Sequence, residues 1–362
     1  MEKVNLLDIC NPKQWKTLST NELRVDGKYN VYGANGIIGK YNDYNHENPT
    51  VLITCRGATC GNIHLSKPFS YINGNAMALD NLDETKCIKE YLYYYLKGID
   101  LSNAISGSAQ PQITIQGLKK INVNLYEIGK QQQIVDTLSK IESLINYKKI
   151  EISNLNELIK SQFVEMFGDP VFNSKKWKQY RLNQLGYFGR GVSKHRPRNA
   201  PELLNGPYPL IQTGDVSNSD LYINSYSSTY SELGMKQSKM WPSGTLCITI
   251  AANIAQTSIL TFDACFPDSV VGFIANNMTN NIFMHYWFGF LQKIIDSKAT
   301  QVAQKNINLQ ILSELDVITP PIELQNKFAQ IVEQIDKQKF EFEKSLKKLE
   351  ELQASLMQEY FG

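Results

Sequence analysis

Side chains able to do covalent chemistry are few in this chain, and they do not converge. The four histidines, His46, His64, His195 and His285, lie far apart, and each reads as a structural or surface residue rather than a base. Six cysteines, Cys10, Cys55, Cys60, Cys87, Cys247 and Cys265, form no CxxC pair and suit the reduced thiols of a cytoplasmic protein. Cys55, Cys60 and His64 are the one conceivable metal set. No HExxH, no GxSxG and no carboxylate cluster with an adjacent lysine is present. Gly33–Lys40 (GANGIIGK) approaches a phosphate-binding loop, but Ala34 stands where that loop needs glycine and Tyr41 where it needs Ser or Thr. Thr319–Ile322 (TPPI) lacks the amide or acid and the aromatic of a methyltransferase loop, and Phe188–Gly191 (FGRG) is not the matching cofactor turn. The sequence therefore predicts no catalytic residue, no metal site and no cofactor.

Hydrogen bonding is the chemistry that remains. Asn and Gln match the edge of adenine, Arg and Lys that of guanine, and small hydroxyls sit well near phosphates. Loops of that composition recur along the chain. In the first half they hold Tyr32 and Asn35; Arg56, Thr59 and Asn62; Asn75; then Ser108, Gln110 and Gln112. In the second half they hold Lys194, Arg196 and Arg198; Gln212 and Thr213; Asn253, Gln256 and Thr257; then Gln304, Lys305 and Asn306. Between Pro170 and Pro201 there is no acidic residue, whereas Lys175, Lys176, Lys178, Arg181, Arg190, Lys194, Arg196 and Arg198 crowd in with His195. Such a stretch is expected to track phosphates.

These loops need a scaffold, and its outline is legible. The chain has 362 residues, 42% hydrophobic and 20% charged, with a net charge of +2, enough for two domains with their own cores. No apolar run reaches membrane-spanning length, and the N-terminus lacks the plan of a signal peptide. In residues 131–168, Ile134, Leu138, Ile141, Ile145, Ile152, Leu155, Ile159 and Met166 alternate steps of four and three, with Lys148 and Gln162 in the polar slots. That is a heptad seam on a helix of roughly 55 Å. Residues 325–362 repeat it through Phe328, Val332, Ile335, Phe342, Leu346, Leu349, Leu356 and Tyr360, with Lys339 and Gln353 in the polar slots. About a quarter of the aligned positions are identical, a genuine internal repeat.

Each long helix follows a head of short strands (YNVYGANGIIGKY, PTVLITCRGATCGNIHL) and one aromatic helix, Ile88–Lys97 in the first and Asn281–Ile294 in the second. Thr245–Thr249 (TLCIT) aligns with Thr50–Thr54 (TVLIT). Connectivity makes the two seams antiparallel if they pack together, giving a spacer with a head at each end.

Two variable heads, each followed by a long helix with a closing Phe-Gly, the first helix starting on QQxIxxxL, resemble the specificity subunit of type I restriction–modification enzymes. YGANGIIG, PTVLITCRGATCGNIHL and KKWKQYRLNQLG support the likeness, which covers the whole chain. It implies an α+β fold: two mixed α/β target recognition domains separated by a long antiparallel coiled coil of two helices, a pseudo-two-fold tandem duplication. The domains would be 1–129, a spacer at 130–168, a linker at 169–178, the second head at 179–321 and a second spacer at 322–362. The resemblance further implies a non-catalytic subunit that reads a split site on double-stranded DNA. Two methyltransferase subunits with their S-adenosylmethionine chemistry, and ATP-driven restriction subunits, would dock on it. The short lead Met1–Trp15 departs from the family pattern and leaves the N-terminal contact to the methyltransferase open. Two other readings remain, a protein-binding adaptor with the same two-headed plan and a self-sufficient enzyme with an unfamiliar site.

If the helices set the gap between half-sites, four residues inserted into both, after Ser153 and after Lys347, should widen it. The insertion adds about 6 Å of rise and turns the helix by about 400°, which nearly preserves the seam. With base pairs about 3.4 Å apart, the expected gain is one to two base pairs with unchanged half-site bases. Mapping methylated sites measures this, and a fixed gap with altered bases would refute it.

Overall fold

The computed structural model describes residues 2–107, 110–250, 255–291 and 309–362. The chain divides into two compact units, Met1–Ile150 with Glu343–Gly362 and Glu151–Phe342, so that each long helix contributes one half to each unit.

The first unit opens with β1 (Glu2–Asn5), α1 (Leu6–Ile9) and β2 (Asn11–Gln14), followed by β3 (Tyr29–Gly33) and β4 (Gly36–Tyr41). Next come β5 (Val51–Thr54), β6 (Ile63–Leu65), β7 (Tyr71–Ile72) and β8 (Ala76–Asp80). The aromatic helix α2 (Lys89–Gly98), β9 (Ile105–Ser106), β10 (Gln112–Ile113), α3 (Ile115–Leu118) and β11 (Asn122–Leu125) lead into α4 (Ile128–Phe167). The central sheet runs β2-β8-β5-β6, and a smaller one runs β4-β3-β7 with β3 and β7 parallel. The lead expected to precede the head is part of it, because β1 pairs with β11 and β2 with β8.

The second unit repeats this order. It contains β12 (Gln179–Arg181), α5 (Leu182–Leu185), β13 (Gly186–Arg190), β14 (Leu204–Leu210), α6 (Thr213–Ser217), β15 (Tyr222–Ile223), β16 (Ser228–Tyr230) and α7 (Glu232–Lys236). Then follow β17 (Met240–Trp241), β18 (Leu246–Thr249), β19 (Thr257–Leu260), β20 (Ala264–Cys265) and β21 (Val270–Ala275). The unit ends with α8 (Asn281–Phe288), α9 (Leu309–Ser313), β22 (Asp316–Ile318) and the first half of α10 (Ile322–Phe361). Its larger sheet is β13-β21-β18-β19-β15 and its smaller one β16-β14-β20-β17, where β14 and β20 are parallel as β3 and β7 are. β12 pairs with β22 as β1 pairs with β11. The aligned segments TVLIT and TLCIT become the equivalent central strands β5 and β18, fully buried as strands covered on both faces must be.

In the first unit the start of α4 packs with the end of α10. Ile134, Leu138, Ile141 and Ile145 are buried, Phe361 lies edge-on to Tyr91 and Tyr95 at 5.6 and 5.5 Å, and Lys149 pairs with Glu350 at 2.9 Å. In the second unit the end of α4 packs with the start of α10, through Phe163 and Phe167 edge-on to Phe328 at 5.5 and 5.4 Å. The two helices therefore run antiparallel. The seam departs from strict heptad register at the end of α4, where Phe163 and Phe167 are buried in place of Gln162 and Met166. There the helix packs on its head, and Phe283 and Phe290 supply the surface for Phe163 at 5.4 Å each. Gly168 closes α4 with φ +76°, the left-handed conformation that glycine adopts without strain. Among the described residues no helix is long and apolar enough to cross a membrane.

One glycine-free device recurs in both units. Gln131 is wholly buried; its Nε2 donates to the carbonyls of Lys86 and Tyr126 at 2.8 Å each, and its Oε1 accepts from the N–H of Ile88 at 2.9 Å. Gln325 is equally buried. Its Nε2 donates to Met278 and Pro320 at 3.1 and 2.8 Å, and its Oε1 accepts from Thr279 Oγ1 and the Asn280 N–H at 3.0 Å. Each amide thus ties the first turn of a long helix to the cap of the aromatic helix and to the strand exit. Q131A and Q325A should each destabilise their own unit by about 2–4 kcal/mol, since backbone groups are left buried without partners. Chemical denaturation followed by hydrogen exchange checks this, and a loss below about 0.5 kcal/mol would show the amides to be incidental.

Candidate nucleic-acid interface

In the first unit most of the polar loop residues gather at one end of the two sheets. The β3–β4 turn carries exposed Asn35, whose Oδ1 accepts from Thr59 Oγ1 at 2.7 Å. Thr54 Oγ1 donates to the carbonyl of the adjacent Ala34 at 2.6 Å, fixing the turn against the end of β5. The loop from β5 to β6 folds back on itself through Gly57 and Gly61, both at φ +96°, and exposes Arg56 and Asn62. The Cys55 N–H donates to the carbonyl of exposed Asn75 at 3.1 Å, which brings in the β7–β8 turn. Arg56 bridges Gln112 through the backbone, and the Gly57 N–H donates to Pro111 at 3.1 Å, which brings in the β9–β10 hairpin with exposed Gln110. Four loops remote in sequence are thereby locked together, three by main-chain bonds and the β3–β4 turn by the hydroxyls of Thr54 and Thr59, with Asn35, Arg56, Asn62, Asn75 and Gln110 exposed.

Tyr32 is not one of these outward groups. It is 5% exposed, packs with Leu52 and Ile72, and its hydroxyl accepts from the Lys67 N–H at 3.1 Å. Ser108 lies outside the described residues. The Cys55, Cys60 and His64 set does not assemble: Cys55 Sγ is engaged by Gln14 at 2.9 Å and by the Asn75 carbonyl at 3.3 Å. Burial pushes the Cys60 thiol above its ordinary range, keeping it protonated. Among the described residues no three His, Cys, Asp or Glu side chains gather as metal ligands.

In the second unit the basic stretch is acid-free in sequence but not in space. Asp268, from the loop between β20 and β21, holds Arg198 Nη2 at 2.7 and 2.8 Å and lies 3.9 Å from Arg196 Nη2. Arg196 Nη1 also donates to the carbonyls of Ser193 and His195 at 2.6 and 2.8 Å. Lys194 is exposed, and its N–H donates to Gln237 Oε1 at 2.6 Å, as that of His195 does at 3.0 Å. Nothing in the sequence links residue 268 to residue 198; the fold alone joins them.

Arg198 shares a cavity of about 200 Å³ with Gln212 and Thr213, walled by Leu210 and Tyr230. Ser193 also lines it, and its buried Oγ has no protein partner. Gln212 is exposed, donates from Nε2 to Ser228 Oγ at 3.1 Å, and precedes α6, whose Asp215 accepts its N–H at 2.7 Å. Gln256 is exposed where β19 begins, and its N–H donates to Thr249 Oγ1 at 3.1 Å. Thr257 is a correction. It is 8% exposed and its Oγ1 meets His285 Nδ1 at 3.0 Å, inside the unit. Desolvation brings His285 down to about 4, so the imidazole is neutral at pH 7. In both misplaced residues strand alternation turned the side chain inward. Asn253, Gln304, Lys305 and Asn306 lie outside the described residues.

Two heads of one plan, each offering amides and guanidinium groups on loops fixed from beneath, are the features of a reader of polar surfaces. The model of the type I restriction modification DNA specificity domain matches this chain twice, at residues 1–157 and at residues 174–354, and the chain belongs to that family. A type I specificity subunit sequence of Mycoplasma pneumoniae is 27% identical over 177 residues, 48% of this chain and 58% of the relative. A type I restriction enzyme specificity subunit sequence of Haemophilus influenzae is 23% identical over 325 residues, 87% of this chain and 82% of that one. The fold is similar to that of the crystal structure of a type I restriction–modification S subunit from M. genitalium, with a TM-score of 0.66 and 18% identity over 98% of this chain and 94% of that one.

The triple replacement of Lys194, Arg196 and Arg198 by Ala should weaken duplex binding and flatten its salt dependence. Each phosphate contact adds about 0.9 to the slope of log K against log salt, but Arg198 is already neutralised by Asp268. The expected loss is therefore about two units and not three. D268N should steepen the slope. Titrations at several salt concentrations read both, and a slope that neither variant moves would make the stretch a plain solvated surface.

Proposed function

We propose that this chain is the DNA-reading subunit of a type I restriction–modification assembly. The first head, with residues 1–129, would read one half of a split target. The second, residues 179–321, would read the other, and the helical segments 130–168 and 322–362 would join them and dock two methyltransferase subunits and the restriction subunits. Base-edge recognition falls to Asn35, Arg56, Asn62, Asn75, Gln110 and Gln112 in the first unit and to Arg198, Gln212, Thr213 and Gln256 in the second, where Lys194 attracts the phosphates. The chain itself carries out no bond chemistry on this reading.

A single observation supports it best: four loops of the first unit are cross-tied by backbone bonds from Arg56 to Gln112 and from Cys55 to Asn75, with a side-chain bond from Thr59 to Asn35. Base readout requires polar groups held to within a few tenths of an ångström on a rigid support, because a misplaced amide forfeits both bonds of a bidentate contact. A protein-binding adaptor would not need that rigidity at polar tips.

Co-expression with a cognate methyltransferase subunit, followed by mapping of methylated bases, tests the proposal. The expected result is a two-part target with a fixed gap, no methylation by the purified chain alone, and exchange of only one half when residues 1–127 are swapped with a relative's. A contiguous target, or methyl transfer by the chain alone, would overturn it.

A further inference from the structure

We infer that Lys339 of α10 is a positioning residue for the second half-site: through Asp220 it holds the loop that aims Gln212 and Thr213. The inference rests on the DNA-reading function proposed above and adds a residue of the helical segment to the machinery of base choice.

Lys339 occupies a position of the apolar seam, and its counterpart in the first repeat, 194 residues earlier, is Ile145. Both are buried, Ile145 at 5% exposure and Lys339 at 7%. Burying an ammonium carries a desolvation penalty that a hydrophobic side chain avoids, so a lysine here needs a specific partner. The partner is the carboxylate of Asp220, which receives the Lys339 ammonium in a direct charge-assisted hydrogen bond. A single lysine in a seam also fixes which partner surface the helix accepts, at some loss of stability.

Asp220 ends the loop that leaves α6, and that loop is fastened at every turn. Ser258 Oγ, wholly buried on β19, lies 3.1 Å from the carbonyls of Val216 and Ser219 and 2.8 Å from that of Asp220. Ser219 Oγ donates to the carbonyl of Asp215 at 2.7 Å, and the two carboxylate oxygens of Asp215 accept from the N–H groups of Gln212 at 2.7 Å and Ser227 at 3.2 Å. Every link from the ammonium to Gln212 is thus a hydrogen bond or a short covalent segment. The seam of the helix and the cavity beside Arg198 are two ends of one tied loop.

The surroundings make the lysine hard to replace by a neutral group. Tyr222, His285, Tyr286, Glu333 and Asp336 are the other titratable groups near the pair. The Asp336 carboxyl is held above its ordinary range, chiefly by burial and further by Asp220, while Lys339 opposes the rise. Without the ammonium, the repulsion between the Asp220 and Asp336 carboxylates would lose its counter-charge. The first unit solves the same position differently: Glu142, the counterpart of Asp336, accepts from Tyr94 at 2.8 Å and pairs with Lys97 at 3.2 Å, both from α2. The helical segment therefore grips an aromatic helix in one unit and a reading loop in the other.

The test uses the full chain co-expressed with its methyltransferase subunit, with mapping of methylated bases for the wild type, K339M, K339R and D220N. K339M and D220N should raise methylation at sites mismatched in the second half by about tenfold, the scale of one mismatched base pair, with the first half unchanged. K339R keeps the cation and should restore selectivity. The double variant K339M with D220N should be no worse than either single change, as expected for groups that act through one bond. If K339M does not fold, D220N carries the test, because Asp220 is largely exposed and the amide is of equal size. Unchanged second-half bases in both single variants, or equal relaxation of both halves, would overturn the inference. A wild type with no split target would instead overturn the proposed function, and the same map reports it.

Discussion

Everything in each unit is referred to one buried amide. Gln131 and Gln325 sit in the first turn of the two long helices, fully enclosed, and each satisfies both ends of its side chain with backbone groups from two other segments. A buried amide without partners is costly, so the helix can enter the unit only where those carbonyls and N–H groups are already in place. The strand exit at Tyr126 or Pro320 and the cap of the aromatic helix at Ile88 or Asn280 must be formed before the long helix can lock. That condition makes the direction of each helix a property of its head. It also explains why the match between repeats extends through the approach to each helix: the hydrogen bonds reach back five residues, to Tyr126 and to Pro320.

Duplication preserved this framework and left the loops free to diverge. The pairing of β5 with β6 and β8 is repeated by β18 with β19 and β21, and the parallel contact of β3 with β7 by β14 with β20. On that common base the second unit adds α6 and α7 and a fourth strand to its smaller sheet. The same helix position holds Glu142 against Tyr94 and Lys97 in one repeat and Asp336 beside Lys339 in the other. Conserving backbone pairing while exchanging side chains at loop tips lets each unit face a different surface without redesigning its core.

The long helices, the aromatic helices and the equivalence of TVLIT with TLCIT were legible in the sequence because periodicity reports burial directly. Tyr32 and Thr257 were misread because composition marks a residue as polar or aromatic without saying which face of a strand it occupies. Their inward orientation depends on register, and register is set by partners far along the chain. Phe163 and Phe167 replaced Gln162 and Met166 at the end of α4 for a related reason: a heptad describes helix on helix, while the last turns meet the flat surface of Phe283 and Phe290. Gln131 and Gln325 were visible as letters of a repeated motif, but an amide's hydrogen bonds leave no periodic trace. Asp268 had no signal at all.

Asp268 also changes what the basic stretch can contribute to recognition. An arginine whose charge is already paired releases fewer counterions on meeting a phosphate, so it adds little to indiscriminate affinity. The same pairing holds the guanidinium in one orientation, with its remaining N–H groups directed and its rotamer entropy already lost. A base edge that offers two acceptors in the right plane rewards that orientation, whereas a phosphate accepts many. On the proposed function, Arg198, held by Asp268 at the cavity shared with Gln212 and Thr213, would serve discrimination. On the same reading Lys194, exposed on that loop with a flexible stem, would serve attraction. A loop that divided these tasks between neighbouring cations would hold a duplex loosely at any sequence and tightly at one.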